Sequence, residues 1–183
     1  NAQAETLNRY IADLVKQADT LREATETHNK LVADDRFRLA ADPKEKFVPP
    51  ARKDPVPHLN FAPLLNAGKN LKDGAAAFHK ALEQFHAANR LLGTGETEQL
   101  NQLIYQTERA LIHEAGLPRR PWFRHQIYAP GFYTGYGVKT LPGVREGLEE
   151  RKWTETQEQI THTAAALERL AAQIATATAK LKE

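Results

Sequence analysis

His79, Glu83 and His86 lie four and three residues apart, a spacing that places all three side chains on one face of a helix. Imidazole and carboxylate groups at that spacing form the grouping in this chain most like a metal-ligand set. It falls short of a metallopeptidase signature, because no His-Glu-x-x-His occurs and the seven histidines are scattered. A solvated helix face with an internal ion pair accounts for the triple, so no metal ligand is assigned in this chain. His28 falls on an apolar stripe and reads as a core or interhelical hydrogen-bonding residue. The sequence has no Cys, which removes thiol nucleophiles, disulfides and Cys-based zinc sites. No residue is assigned a catalytic role.

Chemistry of another kind is concentrated between residues 118 and 141, PRRPWFRHQIYAPGFYTGYGVKTL. Trp122, Phe123, Tyr128, Phe132, Tyr133 and Tyr136 place six of the chain's aromatics there, and Arg119, Arg120, Arg124 and His125 crowd its front. Prolines and glycines interrupt any helical period. A stretch this long without helical pattern inside a compact domain is often functional. Its aromatics must be covered or they form an exposed apolar patch. Two readings follow: an ordered loop packed across the end of the domain, or a loop docked on a partner domain with polar tips turned to a ligand. A third, stacking of nucleic-acid bases on the aromatics between basic residues, is set aside. Lys and Arg total 25 against 23 Asp and Glu, for a net charge of +2, and a polyanion partner calls for a basic excess.

The elements that must position this loop are helical. From residue 6 to about 37, Leu7, Ile11, Leu14, Ala18, Leu21, Thr25, His28 and Val32 repeat at alternating spacings of 4 and 3. Residues 39–59 hold Pro43, Pro49, Pro50, Pro55 and Pro57, which forbid a helix and predict an extended or mobile connection. The same rhythm returns from about 61 to 92 through Leu64, Leu71, Phe78, Leu82 and Phe85, with Pro63 in the first turn. A third helix is capped by Thr94 or Thr97 and stopped by Gly116. The last is the most regular, with Trp153, Ile160, Leu167, Ile174 and Leu181 every seven residues and alanines alongside. The expected fold is all-α, an antiparallel four-helix bundle with a long ordered aromatic loop between the third and last helices, in one domain spanning 1–183. No apolar run is long enough to span a bilayer and no signal peptide is visible. Met is missing and Asn1 opens the chain, so it is read as a piece of a longer protein.

The run Gly116-Leu-Pro-Arg-Arg-Pro-Trp-Phe-Arg-His-Gln-Ile-Tyr-Ala-Pro130, with Tyr136 and then Leu141-Pro-Gly-Val144, resembles the C-terminal helical domain of the glutamate carboxypeptidase II family, the transferrin receptor-like dimerisation domain. Asn60-Phe-Ala-Pro-Leu-Leu and residues 98–115 resemble the family's second and third helices more weakly, and 39–59 looks like an insertion.

That resemblance implies a non-catalytic domain that forms a homodimer and closes one side of a substrate pocket. It implies protease and apical domains elsewhere in the same protein, with two zinc ions in the protease domain and no cofactor in this chain. The substrate implied is a peptide with a C-terminal acidic residue, and the setting is extracytoplasmic, secreted or periplasmic. The family's Lys-Tyr pair, which contacts the substrate carboxylate, aligns on Gly135 and Tyr136. The tyrosine is kept and the lysine is replaced, with Lys139 as a shifted source of charge. Arg124, His125 and Tyr128 are expected to order the loop. The alternative is a protein-binding dimerisation domain of a catalytically inactive, receptor-like homologue.

Overall fold

Alternating 4-3 apolar spacing becomes three long helices in the computed structural model, which describes residues 2–182. Helix α1 (Ala2–Ala33) gives way to a turn at Asp34, and Asp35, in the left-handed region at φ 51°, caps the short α2 (Arg36–Leu39). Helix α3 spans Ala62–Ala87, and α4 (Thr94–Tyr105) and α5 (Thr107–Ala110) follow. Strands β1 (Tyr128–Pro130) and β2 (Val138–Thr140) pair antiparallel, with Ala129 opposite Lys139. The chain closes with α6 (Pro142–Glu149) and α7 (Trp153–Lys180).

Helix α7 is the central element because its seam is buried along most of its length. Thr156, Ile160, Thr163, Leu167 and Leu170 all face inward. Helix α3 packs along this seam more extensively than any other pair of elements, and α1 packs on α3. Leu14, Leu64, Leu71 and Val144 complete the same core. Helix α6 lies very close to α7: a Cβ on Gly147 would collide with Thr156 Oγ1, so only glycine permits that approach.

The chain is predominantly helical with one small sheet, but seven helices stand among the described residues where four were expected. The predicted third helix is divided at Gln106 into α4 and α5 and stops at Ala110, well before Gly116. Its cap is also different: Gly93, not a threonine, is the N-cap, and its amide donates to Glu96 Oε2 at 2.8 Å. The physical cause of the early stop is a switch to extended pairing. His113 N donates to Arg124 O at 2.9 Å and Gln126 N to Leu111 O at 3.0 Å, which the helical conformation would forbid. Neither α4 nor α5 has a fully buried residue, and both pack on α7 rather than against α1. A cleft of about 730 Å³ opens along that side, floored by Leu71, Leu170 and Ile174.

Residues 40–61 contain no helix or strand, and this connection is pinned rather than loose. Asn29 and Lys53 exchange two hydrogen bonds of 2.8 Å, and Arg151 Nη2 donates to Asp54 O at 2.8 Å. His28, expected in the core or between helices, is half-buried and donates from Nε2 to Ala51 O at 2.9 Å. Val56 and Leu59 bury their side chains. Among the described residues no helix is long and apolar enough to cross a membrane.

Leu167→Ala is expected to cost about 2–5 kcal/mol in urea unfolding, the range for emptying a packed core site. Tyr105→Ala, at a solvent-exposed side chain, should stay within about 0.5 kcal/mol.

Candidate functional site: a clamped aromatic hairpin

The aromatic segment begins with a turn that the sequence can make only at glycine. Gly116 has φ +68°, and a Cβ there would collide with the carbonyl of Pro121. Leu117 N donates to Phe123 O at 2.8 Å and Leu117 itself is buried, so the 116–123 turn is fastened to the core by an apolar side chain. The next two arginines part company. Arg119, also at positive φ, stays at the surface and its guanidinium meets Glu155 at 2.8 Å and Glu150 at 3.3 Å.

Arg120 turns inward. Its side chain is 3% exposed, that of Glu146 on α6 is 4% exposed, and Nη2 lies 2.6 Å from Glu146 Oε2. Nη1 donates to Pro130 O at the end of β1. The second carboxylate oxygen of Glu146 accepts from Phe132 N at 2.8 Å. Phe123 and Phe132 lie against the guanidinium, with ring centres 5.6 and 5.8 Å from its carbon. One buried ion pair thus joins the turn, the hairpin and α6. Both carboxylate oxygens of Glu146 and both terminal nitrogens of Arg120 are met in this arrangement, while Arg120 Nε is buried without a partner.

His125 and Tyr128 meet on α5. His125 Nδ1 accepts from the amides of Ile127 and Tyr128 at 3.2 and 3.3 Å, which leaves Nε2 to donate to Glu108 Oε2 at 3.0 Å. Tyr128 OH lies 3.5 Å from the same oxygen, and its ring centre is 4.1 Å from the imidazole. Arg124 pairs with Glu114 at 3.1 Å in solvent, while its carbonyl accepts from His113 N and from Gln126 Nε2.

Beyond β1 the chain closes on itself at the tip. Gly131 N donates to Gly137 O at 2.9 Å and Gly137 N to Thr134 O at 3.1 Å. Gly135 sits at φ +59° with nothing within 4 Å of the point a Cβ would occupy, and Tyr136 beside it is fully exposed. Lys139 is not beside Tyr136 in space: it lies on β2, mostly covered, with its ammonium on Glu149 of α6. The structure therefore gathers His125 and Tyr128 around Glu108, and keeps Tyr136 and Lys139 apart. Arg120 and Glu146 are the residues that sequence reasoning missed. The signal was Glu146 itself, one of two carboxylates among the small and apolar residues of PGVREGLE.

Elsewhere, His79 and Glu83 form a solvent-exposed pair at 3.3 Å. No three His, Asp or Glu side chains converge as metal ligands among the described residues.

Replacing Arg120 with Met strands a buried carboxylate and is expected to destabilise by about 3–5 kcal/mol. Adding Glu146→Leu should return much of that loss, because the stranded charge is then gone. Urea denaturation of the two single variants and the double variant measures this coupling; strictly additive losses would contradict it.

Residues 59–175 match the family model described as the transferrin receptor-like dimerisation domain. Among curated proteins, a probable glutamate carboxypeptidase of Arabidopsis thaliana is 34% identical over 107 residues, 54% of this chain and 15% of its own length. A probable glutamate carboxypeptidase of Arthroderma benhamiae is 37% identical over 70 residues, 38% of this chain and 10% of its own length. The chain thus spans a small fraction of the relatives it matches. The family match covers well over half of the chain, including the turn, the hairpin and the core helices that carry them, and the chain belongs to the transferrin receptor-like dimerisation domain family.

Proposed function

We propose that the chain is the non-catalytic dimerisation and pocket-closing domain of a zinc-dependent, glutamate carboxypeptidase-like peptidase. The observation that carries this reading is the hairpin: a clamped base presents a fully exposed phenol, Tyr136, at its tip. A rigid support under an uncovered aromatic suits a loop that meets a partner domain or a ligand. The names of the curated relatives supply the reaction class, and membership of the family supplies the homodimer.

In this reading the protease and apical domains, with two zinc ions in the former, belong to the same longer protein, which works outside the cytoplasm. Tyr136 donates its hydroxyl hydrogen to the C-terminal carboxylate of a peptide substrate. Lys139 serves an acidic side chain by exchanging Glu149 for the substrate, since its ammonium is already paired. Arg124, His125 and Tyr128 keep the loop in register through their bonds to Glu114, Glu108 and the neighbouring backbone.

Tyr136→Phe in the full-length protein should raise KM about tenfold, the loss of one hydrogen bond to a charged acceptor, with the dimer unchanged in sedimentation. An unaltered KM removes Tyr136 from the pocket. The chain alone should give the mass of a dimer by light scattering as its concentration rises; a strict monomer at high concentration would remove the dimerisation part of the proposal.

A further inference from the structure

His113 and His162 stack face to face, with ring centres 4.0 Å apart and planes 19° from parallel. His162 stands on α7, and His113 belongs to the stretch that leaves α5 and pairs with residues 124–126. Arg169, two turns further along α7, donates to the carbonyls of Ala110 and Ile112 at 3.2 and 2.8 Å. The segment 110–113 is therefore held on α7 at two points, an arginine and an imidazole stack.

His162 is placed so that a proton is poorly received. His113 Nδ1 is buried without a partner. His162 Nδ1 accepts from Gln159 Nε2 at 3.4 Å, a bond that exists only while that nitrogen is unprotonated. Burial first, and the neighbouring His113 second, hold the His162 imidazole below its ordinary value of 6.5, with Glu158 opposing them. The other charges facing the site are Arg169 on α7 and, across the 111–113 pairing, the Glu114–Arg124 and Glu108–His125 pairs. The acidic partners of Arg124 and His125 are already engaged.

We infer that the stack is an acid-released latch: neutral, it fixes segment 110–113 on α7, and protonation frees that segment while the Arg120–Glu146 clamp keeps the hairpin in place. The sign follows from linkage. The unfolded or detached histidine binds its proton at a higher pH than the stacked one, so the latch contributes fully above about pH 6.5. Its contribution is lost as pH falls toward the lowered value of the folded state, by at most about tenfold per pH unit for one proton.

Amide hydrogen exchange on this chain, corrected for the intrinsic rate, tests the latch between pH 7.5 and 5.0. Protection at residues 111–117 should fall as pH is lowered, while the amides of 128, 129 and 138–140 keep theirs. His162→Phe, which retains a stacked ring without a titratable nitrogen, should remove most of the pH dependence of the 111–117 protection, whereas His113→Phe leaves the buried His162 to titrate and should retain it. The inference is overturned if wild-type protection does not change, or if it falls equally in His162→Phe. Should His162→Phe fail to fold, His162→Tyr, also a ring without an imidazole, decides.

Discussion

The conformation of the aromatic segment depends on the buried pair between Arg120 and Glu146. Glu146 uses one oxygen for the guanidinium and the other for the amide of Phe132, and Arg120 spends its remaining terminal nitrogen on Pro130. A lysine could not reproduce this, because the two directions come from the planar fork of arginine. Removing these charges from water is costly in itself, and the contacts offset it only in part, since Arg120 Nε is buried without a partner. The pair therefore specifies arrangement more than it adds stability. It fixes where the turn, the hairpin and α6 stand relative to one another, and α6 is in turn seated on α7 by glycine at Gly147.

Helices and loop are consequently secured by different forces. The long helices bury a continuous apolar seam, in which Ile160 and Leu167 are typical. The loop adds to its buried Leu117, Ile127 and Leu141 two polar fastenings, at Glu146 on one side and at Glu108 on the other, where His125 and Tyr128 converge. Between those points its outer aromatics, Trp122, Tyr133 and Tyr136, stay uncovered.

Much of the helical framework was legible in the sequence because the burial that creates a helix face also creates its period. The seven-residue repeat of α7 is the clearest case. The same logic misread the third helix: Leu103 and Ile104 keep the rhythm, yet Ile104 is exposed and the helix gives way to extended pairing after Ala110. That outcome depends on residues 124–126, which no local window contains. Strands of three residues, one of them ending in Pro130, are too short for alternation to register. Composition marked 118–141 as the segment of interest, but not which of its arginines enters the core. Arg119, Arg120 and Arg124 are chemically equivalent, and the choice falls to Glu146, 26 residues beyond Arg120. Likewise the placing of Lys139 away from Tyr136 follows from Glu149, a partner outside the loop.

The proline-rich connection invites a different conclusion. Its fastenings are almost all to main chain: His28 takes the carbonyl of Ala51, Asn29 both main-chain groups of Lys53, and Arg151 the carbonyl of Asp54. A main-chain group is the same whatever side chain it bears. The outward positions of this connection are thus free to drift in sequence without disturbing the path, whereas an insertion or deletion before Asp54 would shift all three fastenings at once. Homologous loops built this way should vary in residue type while keeping their length, and a mutational scan should find substitution tolerated where a change of one residue in spacing is not.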